Sequence, residues 1–200
     1  MIRLGLDFDN TLINYDRLFH RVALDKGLIS AEIPEQKIAV RDSMRERGME
    51  EDWTRLQGEV YGSRILEAEP YLGMLATLMQ LSDKRLPMYI ISHKTRTPYL
   101  GEPWDLHAAA NGWLQQQGFL DAEGLAWTED QIFFEITKHE KISRIVDLGC
   151  THYIDDLPEI LAMLPSHVEK ILFAPSQDIE GRCEWRRMSS WLDLPSILGL

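Results

Sequence analysis

Two aspartates, Asp7 and Asp9, lie two residues apart directly after an apolar run, in the segment LGLDFDNTL. Apolar residues alternate from position 2 to position 8, which predicts a strand whose end brings these acids out of the core. Two carboxylates this close repel each other unless a cation lies between them or one is protonated. The pair therefore suits a metal-binding or proton-transferring site, although one Asp-x-Asp can equally cap a loop.

Polar groups also follow two later apolar runs. The segment MYIISHKT, residues 88–95, ends its run at Ser92, and the segment YIDDLPE, residues 153–159, ends its run at Asp155 and Asp156. The carboxyl ends of parallel strands form the binding crevice of an open sheet, so all three strand ends are expected at one edge. For a single hydroxyl such as Thr11 or Ser92, a local turn or cap bond remains the commoner role.

Five short apolar runs predict the strands that must position these groups. They cover residues 2–8, 87–92, 131–136, 152–154 and 168–174, and helical patterns lie between most of them. Strands that alternate with helices favour right-handed crossovers and a parallel sheet covered on both faces. We therefore expect an α/β fold, a Rossmann-like three-layer α/β/α arrangement with a mostly parallel five-stranded sheet.

The segment from residue 15 to residue 68 shows only helical patterns. An apolar stripe begins at Tyr15, a second helix is expected from Pro34 towards Gly48, and a third from Trp53 to Tyr61. This predicts a helical cap at residues 15–68, inserted into a core domain formed by residues 1–14 and 69–200.

Composition excludes several classes of protein. The 21 basic and 32 acidic residues give a net charge of -11, which disfavours a nucleic acid duplex as partner because phosphates need clustered Lys and Arg. No run of 18 apolar residues and no signal-peptide pattern occurs, so we expect a cytoplasmic protein without a membrane partner. Cys150 and Cys183 match no metal motif and are expected to be reduced thiols. The oligomeric state is left open.

The order of the strand-end motifs resembles that of the haloacid dehalogenase (HAD) superfamily. The first family motif, Asp-x-Asp-x-Thr, matches residues 7–11, the second matches the strand that ends at Ser92, and the fourth matches Asp155 and Asp156. The match spans nearly the whole chain, and three motifs in order are far more specific than one. The resemblance implies a HAD-like phosphatase whose small helical cap, of the C1 type, lies over the site.

The resemblance also implies chemical roles. Asp7 would be the nucleophile that forms an aspartyl-phosphate, and Asp9 would protonate the leaving group and then activate water. A second Asp at this position favours phosphate esters as substrates. Phosphate beside carboxylates needs a divalent cation, and Mg²⁺ prefers oxygen ligands. The implied ligands are Asp7, the backbone carbonyl of Asp9, Asp155 and Asp156, with Glu159 close by.

Phosphate oxygens would be bound by Thr11, Ser92 and His93, and Lys94 could line the same site because it follows the strand end. The third family motif is a lysine near the start of the helix before the acidic pair. The segment Thr137-Lys138-His139-Glu140 has the form of a capping box, which puts Lys138 on the first helical turn and Lys141 one turn later. We favour Lys138, because the apolar residues after it have the family's offsets, and keep Lys141 as the alternative.

The function expected from the resemblance is a magnesium-dependent phosphatase for a small phosphorylated metabolite, a sugar phosphate or a nucleotide. A phosphomutase would use the same Asp7 and Asp9 and remains an alternative. A non-catalytic member that binds a phosphorylated ligand or a protein is a further one. Against that last possibility, four clustered acids without a cation would repel each other.

Overall fold

A six-stranded parallel sheet forms the centre of the fold. The computed structural model describes residues 1–175 and 184–200. Its strands are β1 (Leu4–Leu6), β2 (Ile13–Asn14), β3 (Glu69–Pro70), β4 (Met88–His93), β5 (Ile132–Glu135), β6 (His152–Asp155), β7 (Glu169–Phe173) and β8 (Arg186–Met188). Its helices are α1 (Asp16–Asp25), α2 (Lys37–Glu46), α3 (Glu50–Tyr61), α4 (Met74–Asp83), α5 (Leu106–Gln116), α6 (Lys138–Asp147), α7 (Pro158–Met163) and α8 (Leu194–Ile197).

The strand order in the large sheet is β5-β4-β1-β6-β7-β8, and every neighbouring pair runs parallel. Strand β1 therefore lies inside the sheet, with β4 on one side and β6 on the other. Because all strands point the same way, the residues that follow β1, β4 and β6 meet at one edge. The predicted α/β Rossmann-like fold is confirmed, and so is the expected convergence of the three strand ends.

The predicted number of strands is wrong by one, because the large sheet also contains β8. This strand consists of Arg186, Arg187 and Met188 and pairs with β7 at the edge of the sheet. Only Met188 is buried, so the segment lacks the apolar run by which the other strands are recognised. Charged side chains are common on edge strands, where they discourage pairing with another chain.

Two compact units make up the chain. The first contains Met1–Ile13, Pro70–Lys94 and Gly118–Leu200, and the second contains Asn14–Glu69 and Thr95–Gln117. The second unit holds helices α1, α2, α3 and α5. It differs from the predicted cap of residues 15–68, because it also includes residues 95–117, which lie within the predicted core domain.

Contacts within the second unit explain this difference. The indole of Trp113 on α5 donates a hydrogen bond to the carbonyl of Ala68 (2.8 Å), and the amide of Gln116 donates to the carbonyl of Leu66 (2.9 Å). A Cβ built on Gly58 of α3 would lie 2.8 Å from Pro98. Long-range contacts of this kind leave no periodic signal, so the sequence places only the first segment of the unit.

Helix α2 begins at Lys37, after Gln36 in an extended conformation, and not at Pro34 as predicted. The Pro34 carbonyl instead accepts a bond from the backbone N–H of Gln36.

Cys150 is a buried free thiol whose pKa burial raises to about 11, as suits a packed, unreactive cysteine. Cys183 lies outside the described residues. Among the described helices, none combines the length and the apolar content that crossing a membrane would require.

The centre of the sheet depends on Gly5 in β1, which lets the ring of Tyr153 lie across that strand. The Tyr153 hydroxyl donates to the carbonyl of Ile91 in β4, so the side chain from β6 spans β1. A Cβ on Gly5 would lie 2.6 Å from Cδ2 of Tyr153 and 3.2 Å from Sγ of Cys150. Any larger residue must therefore displace a fully buried side chain.

Gly5→Ala should lower the free energy of unfolding by about 1 to 3 kcal/mol, the usual cost of overpacking a core. Gly112→Ala is the matched control, since Gly112 lies inside α5 with its nearest neighbour, a methyl group of Leu66, at 3.8 Å. There the added methyl favours the helix and should stabilise the protein by about 0.5 to 1 kcal/mol. Chemical denaturation of both variants measures the difference, and equal stabilities would contradict the packing argument.

Candidate active site

Most of the buried polar groups in the described chain lie together at the carboxyl edge of the sheet. Eight of the polar or charged residues that the structure describes are buried, and two of them, His20 and Thr77, lie elsewhere. The other six come from the ends of β1, β4 and β6 and from α6: Asp7, Thr11, Ser92, Lys94, Lys141 and Asp155. Burying charge is costly unless it is paired, so such a concentration indicates a functional site more than a structural one.

Asp7 is at the centre of this cluster. It follows β1 directly, and its backbone N–H donates to the carbonyl of Ile154 in β6 (2.9 Å), which fixes the main chain there. Its Oδ1 accepts hydrogen bonds from the Ser92 hydroxyl (2.8 Å) and from the Lys141 ammonium (2.6 Å). Its Oδ2 accepts a longer one, 3.4 Å, from the Thr11 hydroxyl. Asp7, Thr11 and Ser92, predicted as site residues, are thus in contact.

A tight turn returns Thr11 to Asp7. The carbonyl of Phe8 accepts bonds from the N–H groups of Thr11, Leu12 and Ile13, at 3.4, 3.0 and 3.3 Å. Asn10 lies within this turn at φ 55°, in the left-handed region that Asn tolerates better than most residues. The sequence Asp-x-Asp-Asn-Thr therefore supplies both the acids and the residue that lets the chain turn.

Lys141 forms ion pairs with two buried acids of the site, Asp7 and Asp155. Its Nζ lies 2.6 Å from Asp7 Oδ1 and 2.6 Å from Asp155 Oδ2, and its side chain is 2% exposed. Burial alone would lower the pKa of this ammonium, but the charges of Asp7 and Asp155 outweigh burial and raise its pKa above the usual value. Lys141 therefore stays charged throughout the physiological range.

The preference for Lys138 over Lys141 does not agree with this geometry. Lys138 is the first residue of α6, and its Nζ pairs with Glu159 Oε1 (2.6 Å), with the two side chains 42% and 61% exposed. The predicted capping box of Thr137 and Glu140 is present. It fixes where the helix begins, but only the packing of α6 against β4 and β5 shows that the residue one turn later is buried.

Three carboxylates form a group that could hold a cation. Asp7, Asp155 and Asp156 each offer an oxygen, and these oxygens lie within 4.8 Å of one another. Burial, and after it the neighbouring charge of Asp7, raise the pKa of Asp155 to about 7, although the Lys141 ammonium acts in the opposite direction. Oxygen donors of this kind fit Mg²⁺.

Asp9 is paired with Lys94. The Lys94 Nζ lies 2.9 Å from Oδ1 and 2.8 Å from Oδ2 of Asp9, and the lysine side chain is 3% exposed. The sequence indicates Lys94 only as a residue that follows a strand end. Its position two residues after Ser92 is the feature of the sequence that could have identified it. The ion pair with Asp9 forms because β1 and β4 are neighbouring strands in the sheet.

His93 and Glu159 lie differently from what the resemblance implies. A ring nitrogen of His93, Nε2, lies 3.0 Å from the carbonyl of Ile136, in the segment that leads into α6, and the contact involves no group of the carboxylate cluster. Glu159 makes the surface pair with Lys138. Neither residue has a described hydrogen bond or ion pair with Asp7, and His93 stays a predicted phosphate ligand.

Comparisons with known proteins agree with this architecture. No protein-family model matches the chain. The chain is 23% identical over 203 residues to Putative nucleotidase OB0422 from Oceanobacillus iheyensis, which covers 96% of this chain and 97% of that protein. Among solved structures, a HAD family hydrolase from Deinococcus radiodurans R1 with bound phosphate and sodium superposes with a TM-score of 0.62 at 14% identity, over 98% of this chain and 94% of that one.

Two further structures cover the whole chain. The HAD phosphatase from Thermococcus onnurineus has a TM-score of 0.58 at 14% identity, and the match covers 98% of its length. YfnB from Bacillus subtilis, bound to magnesium, has a TM-score of 0.56 at 12% identity over 99% of its length. The chain therefore has the fold of the haloacid dehalogenase superfamily, which confirms at the level of the fold the resemblance seen in its sequence motifs.

Proposed function

We propose that this protein is a magnesium-dependent phosphatase that hydrolyses a small phosphate monoester through an aspartyl-phosphate on Asp7. The observation that carries the proposal is the arrangement around Asp7, where a buried carboxylate is held by Ser92 and Lys141 beside two further carboxylates. Phosphoryl transfer needs positioning and charge neutralisation more than other chemistry from a protein. The hydrogen bond from Ser92 positions the Asp7 carboxylate, and the Lys141 ammonium neutralises charge beside it.

The nucleophile in this proposal is a carboxylate oxygen of Asp7. Oδ1 receives two strong donors, whereas Oδ2 receives one at 3.4 Å, so the lone pairs of Oδ2 are the less engaged ones. Attack of this oxygen on phosphorus forms an acyl phosphate on Asp7 and breaks the bond between phosphorus and the ester oxygen of the substrate. Asp9 gives its proton to the departing oxygen, which leaves as an alcohol.

The second step regenerates the enzyme. Asp9, now a carboxylate, takes a proton from water as the water oxygen attacks phosphorus. The bond between phosphorus and the Asp7 oxygen breaks, which releases inorganic phosphate and returns Asp7 to its carboxylate form. Lys141 and Ser92 hold the Asp7 carboxylate in place through both steps. Mg²⁺, held by Asp7, Asp155 and Asp156 with the Asp9 carbonyl, would supply neutralisation of the phosphoryl charge.

The substrate class in this proposal is a sugar phosphate or a nucleotide. The full-length similarity to a protein named as a nucleotidase supports the nucleotide branch. The proposed partner is thus a small phosphorylated molecule, and the net charge of -11 agrees with a ligand whose charge is screened by a cation.

Phosphate release from p-nitrophenyl phosphate, a set of sugar phosphates and a set of nucleoside monophosphates tests the proposal. Release should require Mg²⁺ and stop when a chelator is added, and excess Mg²⁺ should restore it. A phosphomutase would convert a sugar phosphate into an isomer without releasing phosphate, and a binding protein would do neither. Either of these results would contradict the proposed hydrolysis.

Asp7→Asn should reduce kcat by at least about a thousandfold, because the nucleophile is lost while the shape of the side chain is kept. Circular dichroism and thermal unfolding should show a folded variant. Trapping with radiolabelled phosphate substrate at acid pH should label the wild type and leave the variant unlabelled. Persistent turnover by the variant would overturn the covalent mechanism.

Lys141→Met should lower kcat by about a hundredfold or more, since its charge no longer holds Asp7 or offsets the phosphate. It should also destabilise the fold by about 3 to 5 kcal/mol, because two buried carboxylates lose their common cation. Lys138→Met is the matched comparison, because its ammonium makes an exposed surface pair, and it should change both quantities little. The reverse ranking of the two variants would restore Lys138 as the lysine of the site.

A further inference from the structure

Lys94 is a buried lysine for which the proposed mechanism so far has no role. Its Nζ contacts both oxygens of Asp9, at 2.9 and 2.8 Å, and lies 5.4 Å from the centre of the Phe8 ring. Its backbone N–H donates to the carbonyl of Glu135 (2.9 Å), which ties its main chain to the end of β5. Both ends of this residue are therefore anchored.

Stability alone is a weak explanation for this pair. Burying an ammonium is expensive, and a buried ion pair on average does no more than offset the cost of desolvating its members. The two members are also unequally buried, because the Asp9 side chain is 23% exposed while that of Lys94 is 3% exposed. The lysine thus holds a carboxyl group that still reaches solvent.

Contact with both oxygens fixes the direction of that carboxyl group. Two contacts of nearly equal length, 2.9 and 2.8 Å, keep the ammonium between the two oxygens. They therefore restrain the side-chain torsion that sets where the carboxyl group points more than a single contact would. When Asp9 carries a proton, one oxygen can still accept from Lys94, so the O–H group must lie on the other oxygen. Such preorganisation matters for a group that transfers a proton in a transition state.

We infer that Lys94 is a positioning residue that holds the Asp9 carboxyl group in the orientation from which it exchanges a proton with the leaving-group oxygen. This inference rests on the proposed phosphatase function. A purely structural role would lower kcat/KM for every substrate alike. The positioning role predicts that replacing Lys94 lowers kcat/KM only for substrates whose leaving group needs a proton.

The test compares kcat/KM of Lys94→Met for two substrates, p-nitrophenyl phosphate and a simple alkyl phosphate that the wild type hydrolyses. The ratio kcat/KM reports the steps up to the first phosphorus–oxygen cleavage, before water attacks. Nitrophenolate leaves as a stable anion, whereas an alkoxide needs protonation. Lys94→Met should therefore lower kcat/KM about a hundredfold for the alkyl phosphate and less than about threefold for p-nitrophenyl phosphate.

Asp9→Asn and the double variant complete the experiment. If Lys94 acts through Asp9, then Asp9→Asn shows the same dependence on the leaving group, and adding Lys94→Met to it lowers kcat/KM no further. Lys84→Met, at an exposed position after α4, is the control for loss of a lysine charge. Lys94→Gln, which can donate to one oxygen, replaces Lys94→Met if the latter does not fold.

Two results would overturn the inference while the proposed function stands. One is an equal loss for both substrates, and the other is a double variant whose loss is the product of the two single losses. A wild type that releases phosphate from neither substrate would instead refute the proposed function, and the inference with it.

Discussion

The buried ammonium of Lys141 is the interaction on which the site depends. Asp7 and Asp155 come from adjacent strands, and both are almost completely removed from solvent. Without a cation between them, their repulsion and the cost of desolvation would oppose folding of this edge of the sheet. Lys141 offsets both at once. The fold must therefore place α6 correctly before the two carboxylates can be buried together.

Several features serve that placement. Thr137 caps α6, Lys141 and Ile145 face inwards from it, and the helix packs on β4 and β5. The ring of Tyr153 lies 5.5 Å from the Lys141 ammonium, and the same side chain crosses Gly5 to bond the carbonyl of Ile91, just before Ser92. Tyr153 thus contacts both Lys141 and β4, the strand that carries Ser92. It therefore links the positions of two groups that hold Asp7.

The sequence is informative about the parts of the site that follow buried strands. Alternation and apolar runs predict β1, β4 and β6, and parallel pairing then brings Asp7, Ser92 and Asp155 to one edge without further information. It is less informative where contacts are long-range. Lys138 and Lys141 are one turn apart on the same face of α6, so periodicity cannot separate them, and only the depth of the helix against the sheet does. The place of the segment 95–117 in the second unit depends on long-range contacts in the same way, whereas strand β8 is missed because its two arginines leave no apolar run.

The two acids of the Asp-x-Asp pair occupy different environments, although only one residue separates them. Asp7 turns towards the sheet, where Ser92 and Lys141 hold it and 6% of its side chain is exposed. Asp9 is held by Lys94 with 23% of its side chain exposed. A nucleophile needs a fixed position and little water, whereas a group that passes protons to a departing alcohol and from water needs access to solvent. Both acids follow the end of β1, where the chain enters the turn at Phe8, and each has its own lysine. This arrangement provides both environments within three residues.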